Sequence, residues 1–225
     1  MVKHNLQSLA LKLTAAESTE EEKIEKLYHY VKEKIKYKIT IIGDPEEILK
    51  LGYGSCIDNA LLFSELLKSI GIKSRYHAIL VDSNLLLRFS LTKFIPSRLR
   101  PPFFPHIFNE VYSGGRWEKL DTSFDSEIEK YFLQIKFASG EKECCIPPEY
   151  ILKDLGAFNS FSDIFAAPSF LQLVDEFLPH KKEIQLSLNL SNRFLYQKRK
   201  NKTEGLKEKE AIENILININ RLKRK

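Results

Sequence analysis

The spacing of apolar residues predicts three helices in the first third of the chain. Apolar side chains recur every three or four positions over residues 5–14, 24–35 and 60–70. Ser18 or Thr19 can cap the second helix, whose first turn is acidic. The third helix directly follows a glycine-containing turn and ends at Gly71. Cys56 is therefore predicted to lie at a helix N-terminus.

Strand patterns appear on both sides of the third helix. Alternating or β-branched segments predict strands over residues 74–82, 106–112 and 116–122, and a short strand or extended loop at 37–42. The dipeptide Gly114-Gly115 is a two-residue hairpin signal, because both positions tolerate positive φ. Residues 85–105 are rich in arginine and proline, which indicates a long excursion rather than a regular element.

The patterns become weaker beyond the hairpin. Residues 128–137 favour a strand or a helix, residues 170–177 a helix, and residues 183–190 a half-buried strand. A charged stretch at 197–210 then precedes one apolar stripe on a terminal helix. We therefore expect a main domain over residues 1–190, followed by a basic linker and an amphipathic helix over residues 191–225.

Composition and charge narrow the classes of protein. A hydrophobic content of 43% over 225 residues is typical of a folded globular chain. The net charge of +5 comes mainly from the last thirty residues. Such a basic tail can bind nucleic acid or anionic lipid, but it is more often solvated surface, and no nucleic-acid motif accompanies it.

Cysteine content and hydropathy favour a cytoplasmic protein. The three cysteines show neither a disulfide framework nor metal-ligand spacing, which fits a reducing compartment. The N-terminus lacks a signal-peptide pattern, and no stretch reaches the roughly 18 apolar residues that a membrane span needs.

Cys56 is the first candidate for chemistry. The thiolate is the nucleophilic form of cysteine, and a helix N-terminus favours negative charge. The amides of the helix start could supply part of an oxyanion hole, and the preceding glycines would let a substrate backbone approach closely. Taken alone, however, the cysteine is better explained as a small buried apolar residue.

The hairpin register adds a histidine and an acid. If the two glycines form the loop, Asp121 lies opposite Phe108 and diagonal to His106. The two backbone positions are then roughly 7–8 Å apart, a gap that an Nδ1–H···O hydrogen bond can close. Asn109 falls on the opposite face, which argues against a Cys/His/Asn triad. One inserted residue would reverse this parity.

Together, three residues fit a catalytic triad. Asp121 would orient His106, His106 would activate Cys56 and later protonate the leaving amine, and Cys56 would form a thioester. Individually, a surface histidine and a turn aspartate would be the simpler explanations, so the combination carries the hypothesis. The other histidines show no comparable constellation in the sequence: His4, His29, His77 and His180.

At these residues the chain resembles the transglutaminase-like superfamily. The resemblance is carried by a Gly-x-Cys helix start, a His-x-x-Asn-Glu-Val strand and a Trp-x-x-x-Asp strand after a Gly-containing turn. These blocks read Gly54-Ser55-Cys56-Ile57-Asp58-Asn59-Ala60, His106-Ile107-Phe108-Asn109-Glu110-Val111-Tyr112 and Gly115-Arg116-Trp117-Glu118-Lys119-Leu120-Asp121-Thr122. The recognisable core covers about residues 19–125, with residues 126–190 as a C-terminal extension of the domain.

The resemblance implies both a fold and a chemistry. The fold would be α+β, a papain-like transglutaminase core with N-terminal helices and with the catalytic cysteine helix packed on an antiparallel β-sheet. The chemistry would be acyl transfer on amides of a protein or peptide substrate, with Cys56, His106 and Asp121 as the triad. Neither a cofactor nor a metal is expected for it.

Further residues are candidates for the substrate or oxyanion region: Gly54, Ser55, Asn109 and Trp117. Trp117 is also predicted to pack against Tyr112, its cross-strand partner. Asp58 would oppose ionisation of a nearby thiol, so we expect it to face solvent or to cap the helix. Where many members of the family have a tryptophan soon after the histidine, this chain has Ile107 and Phe108, which leaves the substrate open.

Three functions therefore remain open. The leading hypothesis is a cytoplasmic thiol enzyme, a peptidase or amide hydrolase rather than a cross-linking enzyme. The second is a catalytically silent module of the same fold that binds a partner, for example through a terminal helix at 205–222. The third is a protein that associates with nucleic acid through its basic tail.

Overall fold

The structure is a computed structural model that describes residues 3–85, 103–128 and 146–168, together with Asn192 and Tyr196. The elements predicted at 170–177, at 183–190 and in the terminal segment lie outside these residues. The same holds for Cys144 and Cys145, for nearly all of the element predicted at 128–137, and for most of the 85–105 excursion.

The three helices predicted from apolar spacing are confirmed. They are α1 (Lys3–Leu13), α2 (Glu20–Lys34) and α4 (Cys56–Ser69). Thr19 caps α2 in a reciprocal capping box with Glu22, which satisfies backbone donors at the helix start. In the described part of the chain, no helix is both long enough and apolar enough to cross a membrane.

The segment between α2 and α4 is more regular than expected. Helix α3 (Pro45–Leu51) was not predicted, although its signals are present: an Asp44 cap, a proline in the first turn and Gly52 at the C-terminal end with φ 68°. The turn before Cys56 contains strand β2 (Tyr53–Gly54), which pairs in parallel with β1 (Lys36–Tyr37). The chain therefore enters α4 from a paired strand.

A four-stranded antiparallel sheet forms the second layer. Its strands are β3 (Ser74–Asp82), β4 (Phe103–Ser113), β5 (Arg116–Leu120) and β6 (Ile151–Phe158), in the order β5-β4-β3-β6. Strand β6 was not predicted, nor was the short helix α5 (Phe161–Ala166) that follows it. The expected α+β class with an antiparallel sheet is confirmed.

The predicted hairpin register is also confirmed. Tyr112 pairs with Trp117, and Asn109 pairs with Leu120, as a two-residue loop requires. The loop glycines have φ values of 58° and 83°, which suit glycine in a tight hairpin turn. Strand β4 begins at Phe103, earlier than expected, so Pro105 belongs to the strand and not to the excursion. Pro105 pairs with Leu80 of β3, and β5 does not extend that far along β4.

The two faces of the sheet carry two separate cores. On one face Ile107 and Val111 join the buried side chains of α4, α2 and α1. On the other face Phe108 packs with Ile79 and Val81 and with residues from the segments after β5. Helix α4 lies between the N-terminal helices and the sheet, and its side chains are almost all buried. Its position against β4 is therefore set by packing on all sides.

A buried ionic cluster lies on the sheet face opposite α4. His77 is 6% exposed and donates from Nδ1 to Glu110 at 2.6 Å and from Nε2 to Asp154 at 2.8 Å. Arg75 donates to the other oxygen of Glu110 at 2.6 Å. This ionic cluster was not predicted, since Asp154 comes from the unpredicted strand β6.

The two carboxylates of this cluster are held in their ionised form. Burial would raise the pKa of Glu110, but hydrogen bonds from His77 and Arg75 and their positive charges lower it below its ordinary value of 4.5. Burial would likewise raise the pKa of Asp154. The amide of Gly156, His77 and the charge of Lys119 lower it below 3.8. Both groups therefore stabilise the fold above their ordinary pKa values, and this contribution is lost as pH falls through the lowered values.

We expect Glu110→Gln to reduce the free energy of unfolding at pH 7 by about 1–3 kcal/mol, because it removes a charged hydrogen-bond partner of both His77 and Arg75. The difference from the unmodified protein should be smaller at pH 3, because Glu110 loses its charge as pH falls through its pKa, which lies below 4.5. Denaturant unfolding at the two pH values measures this. Glu118→Gln, in an exposed pair with Arg116, is the control and should change stability by less than about 0.5 kcal/mol. An equal loss at both pH values would contradict the ionic role of Glu110.

Candidate active site

Cys56 is the first residue of α4 and is partly exposed. The residue before it, Ser55, is the N-cap, with its hydroxyl 3.5 Å from the amide of Asp58. Gly54 packs so closely on this turn that an added Cβ would lie 2.7 Å from Cβ of Asp58. The glycine thus allows the strand before Cys56 to pass directly over the first turn of α4, a contact that no larger residue allows.

Asp58 fastens this turn to the rest of the molecule. Its Oδ2 accepts hydrogen bonds from the amide and the hydroxyl of Ser55 at 3.0 and 3.1 Å. Its Oδ1 accepts from the amides of Ile42 and Gly43 at 2.8 and 3.0 Å. The side chain is fully buried, so the expectation that it faces solvent was wrong and the alternative, a helix cap, is confirmed.

His106 and Asp121 form a buried pair at the end of the hairpin. The ring Nε2 of His106 lies 2.7 Å from Oδ2 of Asp121, and both residues are at most 3% exposed. Oδ1 of Asp121 accepts from the amide of Ser123 at 2.9 Å. The predicted contact is confirmed, but the nitrogen was wrong, since Nε2 and not Nδ1 faces the carboxylate. Because Nε2 then carries hydrogen, a neutral His106 has its lone pair on Nδ1.

The last residue of β5 that pairs with β4 is Leu120, and the two segments separate beyond it. We call this point of separation the fork, and the His106–Asp121 pair lies there. The start of α4 is attached to this fork by Asn59, whose Nδ2 donates to the carbonyls of Thr122 and Ser123 at 3.1 and 3.2 Å. Asn59 lies about 4.5 Å further along the helix axis than Cys56. Cys56 is therefore carried on a turn that is bonded to the chain directly after Asp121.

Asn109 lies on the face of β4 opposite the pair, as the strand period predicts. It is fully buried, and its Nδ2 donates to the carbonyl of Ala60 in α4 at 3.0 Å. Asn109 therefore fastens α4 to β4 and does not orient His106.

Trp117 lies away from the pair. It is 39% exposed, packs edge-on against Tyr112 as predicted, and has the Arg75 guanidinium 4.1 Å above its ring. Four residues along an extended strand separate it from Asp121, roughly 13 Å. Gly54, Ser55 and Cys56 thus lie together at the N-terminal end of α4. Trp117 lies near the loop of the hairpin, away from His106 and Asp121.

Polar side chains that the sequence did not single out surround the fork. Asn59 and Asp58 stand in the motif itself, and their helix position placed them near Cys56, but no local signal shows which backbone groups they bind. Within the described residues, four buried side-chain oxygens here have no hydrogen-bond partner: those of Asn59 (Oδ1), Asn109 (Oδ1), Thr122 and Ser123. Groups of this kind usually bind ordered water.

Among the described residues, no group of three or more histidine, cysteine, aspartate or glutamate side chains is arranged to hold a metal ion.

A protein-family comparison agrees with the motif. The model of the transglutaminase-like superfamily matches residues 7–122, a little over half of the chain. The chain belongs to the transglutaminase-like superfamily. The match contains α4, β3 and β4 and ends directly after Asp121, so the elements that carry Cys56, His106 and Asp121 all lie within the superfamily region. No match was found among curated proteins.

Solved structures with similar folds include three proteins of low sequence identity. A proposed cysteine protease from Cytophaga hutchinsonii is 17% identical, with a TM-score of 0.46, over 72% of this chain and 44% of that one. A proposed protease from Parabacteroides distasonis is 15% identical, with a TM-score of 0.40, over 53% and 23%. A TGase is 14% identical, with a TM-score of 0.39, over 60% and 34%. This chain thus spans less than half the length of each.

We expect Asn59→Ala to destabilise this superfamily domain by about 1–3 kcal/mol, because it leaves two buried carbonyls at the fork without their donor. Denaturant unfolding at pH 7 measures the change. Asn84→Ala is the matched control, since Asn84 is exposed and bonds only to nearby Asp82 among the contacts described. We expect less than about 0.5 kcal/mol for the control. Equal effects of the two substitutions would contradict a fastening role for Asn59.

Proposed function

We propose that the protein is a transglutaminase-like thiol enzyme that acts on amide bonds of proteins or peptides, with Cys56 as the nucleophile, His106 as the acid and base, and Asp121 as its orienting partner. The observation that carries this proposal is the buried 2.7 Å hydrogen bond between His106 and Asp121, at the fork to which the start of the Cys56 helix is bonded. Membership of the superfamily supports the same assignment.

In the first half of the reaction, Nδ1 of His106 takes the thiol proton and the sulfur of Cys56 attacks the amide carbon. The carbonyl oxygen becomes an oxyanion in a tetrahedral intermediate. The C–N bond then breaks, and the imidazolium returns the proton to the departing nitrogen, so that an amine leaves and a Cys56 thioester remains.

In the second half an acceptor attacks the thioester carbon while His106 takes its proton. The C–S bond then breaks, so that water as the acceptor gives a carboxylic acid and a primary amine gives a new amide. The protonated imidazole then returns the proton to the sulfur of Cys56, which restores the enzyme. We propose that hydrolysis is the main reaction. A direct assay distinguishes it from transfer to an amine.

Asp121 supports both halves through charge and geometry. Its carboxylate accepts from Nε2, which keeps Nδ1 as the basic atom and stabilises the imidazolium when it forms. Ser123 donates to the other oxygen and so limits rotation of the carboxylate. Backbone amides at the start of α4 are our candidates for oxyanion stabilisation, because the helix dipole favours negative charge there.

The first test is alkylation of Cys56 with iodoacetamide as a function of pH. At pH 6 we expect labelling at least about tenfold faster than that of free cysteine, because a helix N-terminus and an imidazolium favour the thiolate. Cys56→Ala measures the background from the other two cysteines. His106→Ala should reduce the advantage to the part that the helix N-terminus provides, whereas His29→Ala, at an exposed histidine on α2, should leave it unchanged. A Cys56 that reacts as slowly as a free thiol would argue for the silent binding module instead.

The second test measures turnover on unfolded casein with a fluorescent primary amine present. New amino termini indicate peptidase activity, and fluorescence bound to casein indicates acyl transfer. We expect Cys56→Ala to abolish turnover, and Asp121→Asn to reduce it by about a hundredfold or more. Unchanged turnover of the Asp121→Asn protein would refute the triad.

A further inference from the structure

Residues 36–39, which are β1 and the two residues after it, have an outer edge that is bonded by side chains in the described part of the chain. Lys36 and Lys38 donate towards β2, to the carbonyls of Gly52 and Gly54. The alternate residues face the other way. The amide of Tyr37 donates to Asp125 at 2.7 Å, and the amide of Ile39 donates to Oδ1 of Asn192 at 2.8 Å.

Asn192 binds both backbone groups of Ile39. Besides accepting from the amide, its Nδ2 donates to the Ile39 carbonyl at 2.8 Å. A carboxamide thus supplies one acceptor and one donor to the N–H and C=O of a single residue. An extended peptide supplies the same pair when it adds to the edge of a strand. The Asn192 side chain therefore occupies this edge in the way that a substrate amide would.

This edge is rigidly connected to Cys56. The amide of Lys38 bonds to the carbonyl of Gly54, two residues before the cysteine, at 2.8 Å. Asp58, in the first turn of the Cys56 helix, holds the amides of Ile42 and Gly43. The loop at 38–43 and the start of α4 are thus one bonded unit.

The same loop also reaches the strands of the His106–Asp121 pair. The side chain of Ile39 packs against the core cluster that contains Phe108 and Phe124, close in sequence to His106 and Asp121 respectively. Two residues beyond Ile39, the apolar side chain of Ile41 is 65% exposed and so is open to a ligand. The loop therefore offers a backbone donor, a backbone acceptor and an apolar side chain on a segment that is bonded to the start of α4 and packed on the core beside Phe108 and Phe124.

We infer that the N–H and C=O of Ile39 form an amide-binding subsite for the substrate, and that Asn192 of the same chain occupies it in competition. The inference rests on the proposed function, which makes the region beside Cys56 a substrate-binding site. The ligand chemistry is an amide group, which has two sources: the main chain of an extended peptide or the side chain of a glutamine. Binding of either requires that the Asn192 carboxamide leave Ile39.

Competition within one chain has a measurable consequence. Removal of the Asn192 carboxamide frees both backbone groups and should strengthen substrate binding, whereas a residue that only stabilises the fold should weaken it or leave it unchanged. Because two neutral hydrogen bonds are involved, we expect affinity to rise about fivefold or more. Asn192→Asp, which keeps an acceptor but loses the donor to the Ile39 carbonyl, should give a smaller rise.

The experiment measures binding without turnover. Full-length protein with Cys56→Ala is applied to an array of N-acetylated, C-amidated heptapeptides of random sequence, alone and combined with Asn192→Ala, Asn192→Asp or the control Asn84→Ala. We expect tighter binding only with the two Asn192 substitutions. Thermal unfolding confirms that each variant is folded. Unchanged or weaker binding of the folded Asn192→Ala variant overturns the inference, and so does an absence of peptide binding in every variant.

Two changes to the bound peptides separate the sources of the amide. Replacement of glutamine by glutamate abolishes the effect of Asn192→Ala if a side chain binds Ile39, and N-methylation of the main chain abolishes it if the backbone binds. The result is independent of the alkylation test. If Cys56 is alkylated slowly but Asn192→Ala strengthens peptide binding, the proposed function is rejected and the subsite is retained. If Cys56 is alkylated rapidly but Asn192→Ala does not strengthen binding, the subsite is rejected and the proposed function is retained.

Discussion

The buried carboxylate of Asp58 is the interaction on which the geometry around Cys56 depends. Burial of a charge is costly unless hydrogen bonds satisfy it, and here four donors do so, two on each oxygen. Those donors come from the residue before Cys56 and from a loop distant in sequence. Any movement of either segment would leave an unsatisfied buried carboxylate, so the bonds fix the strand, the turn and the loop relative to one another. The close approach of Gly54 to the same side chain leaves no room for a different arrangement.

A second set of bonds extends this fixed unit to the sheet. Asn59 binds the carbonyls after Asp121, and Asn109 binds a carbonyl of α4 from the facing strand. Apolar packing confines α4 against β4, but hydrophobic burial is itself non-directional. The amide bonds instead select one register between helix and strand. On the far face, the cluster of His77, Glu110 and Asp154 attaches β6 to β3 and β4 by the same kind of buried polar contact.

The parts that could be predicted from the sequence are those set by local patterns. Apolar spacing and caps placed α4, and two adjacent glycines fixed the hairpin register and with it the contact between His106 and Asp121. Contacts between distant segments could not be predicted in this way. Strand β6 has no clear alternation, since none of its residues is buried, and without it Asp154, one of the two partners of His77, could not be predicted. The ring nitrogen that faces Asp121 depends on the side-chain torsions of His106, which no residue spacing encodes. Helix α3 is different, because its capping signals were present but its apolar pattern was too short.

The arrangement of donors at the start of α4 bears on whether two negative charges can coexist there. A carboxylate beside a thiolate is unfavourable, and both would compete for the amides of one helix turn. Asp58 avoids part of this conflict, because none of its four donors is the amide of Cys56 or Ile57. Its charge is balanced by groups of Ser55 and of the 42–43 loop instead. The Asp58 side chain therefore does not accept hydrogen bonds from the two amides nearest the sulfur, those of Cys56 and Ile57. A helix start that is stabilised from outside in this way can retain its own amides for an anion that appears only during a reaction, which is the electrostatic condition that the proposed acyl transfer requires.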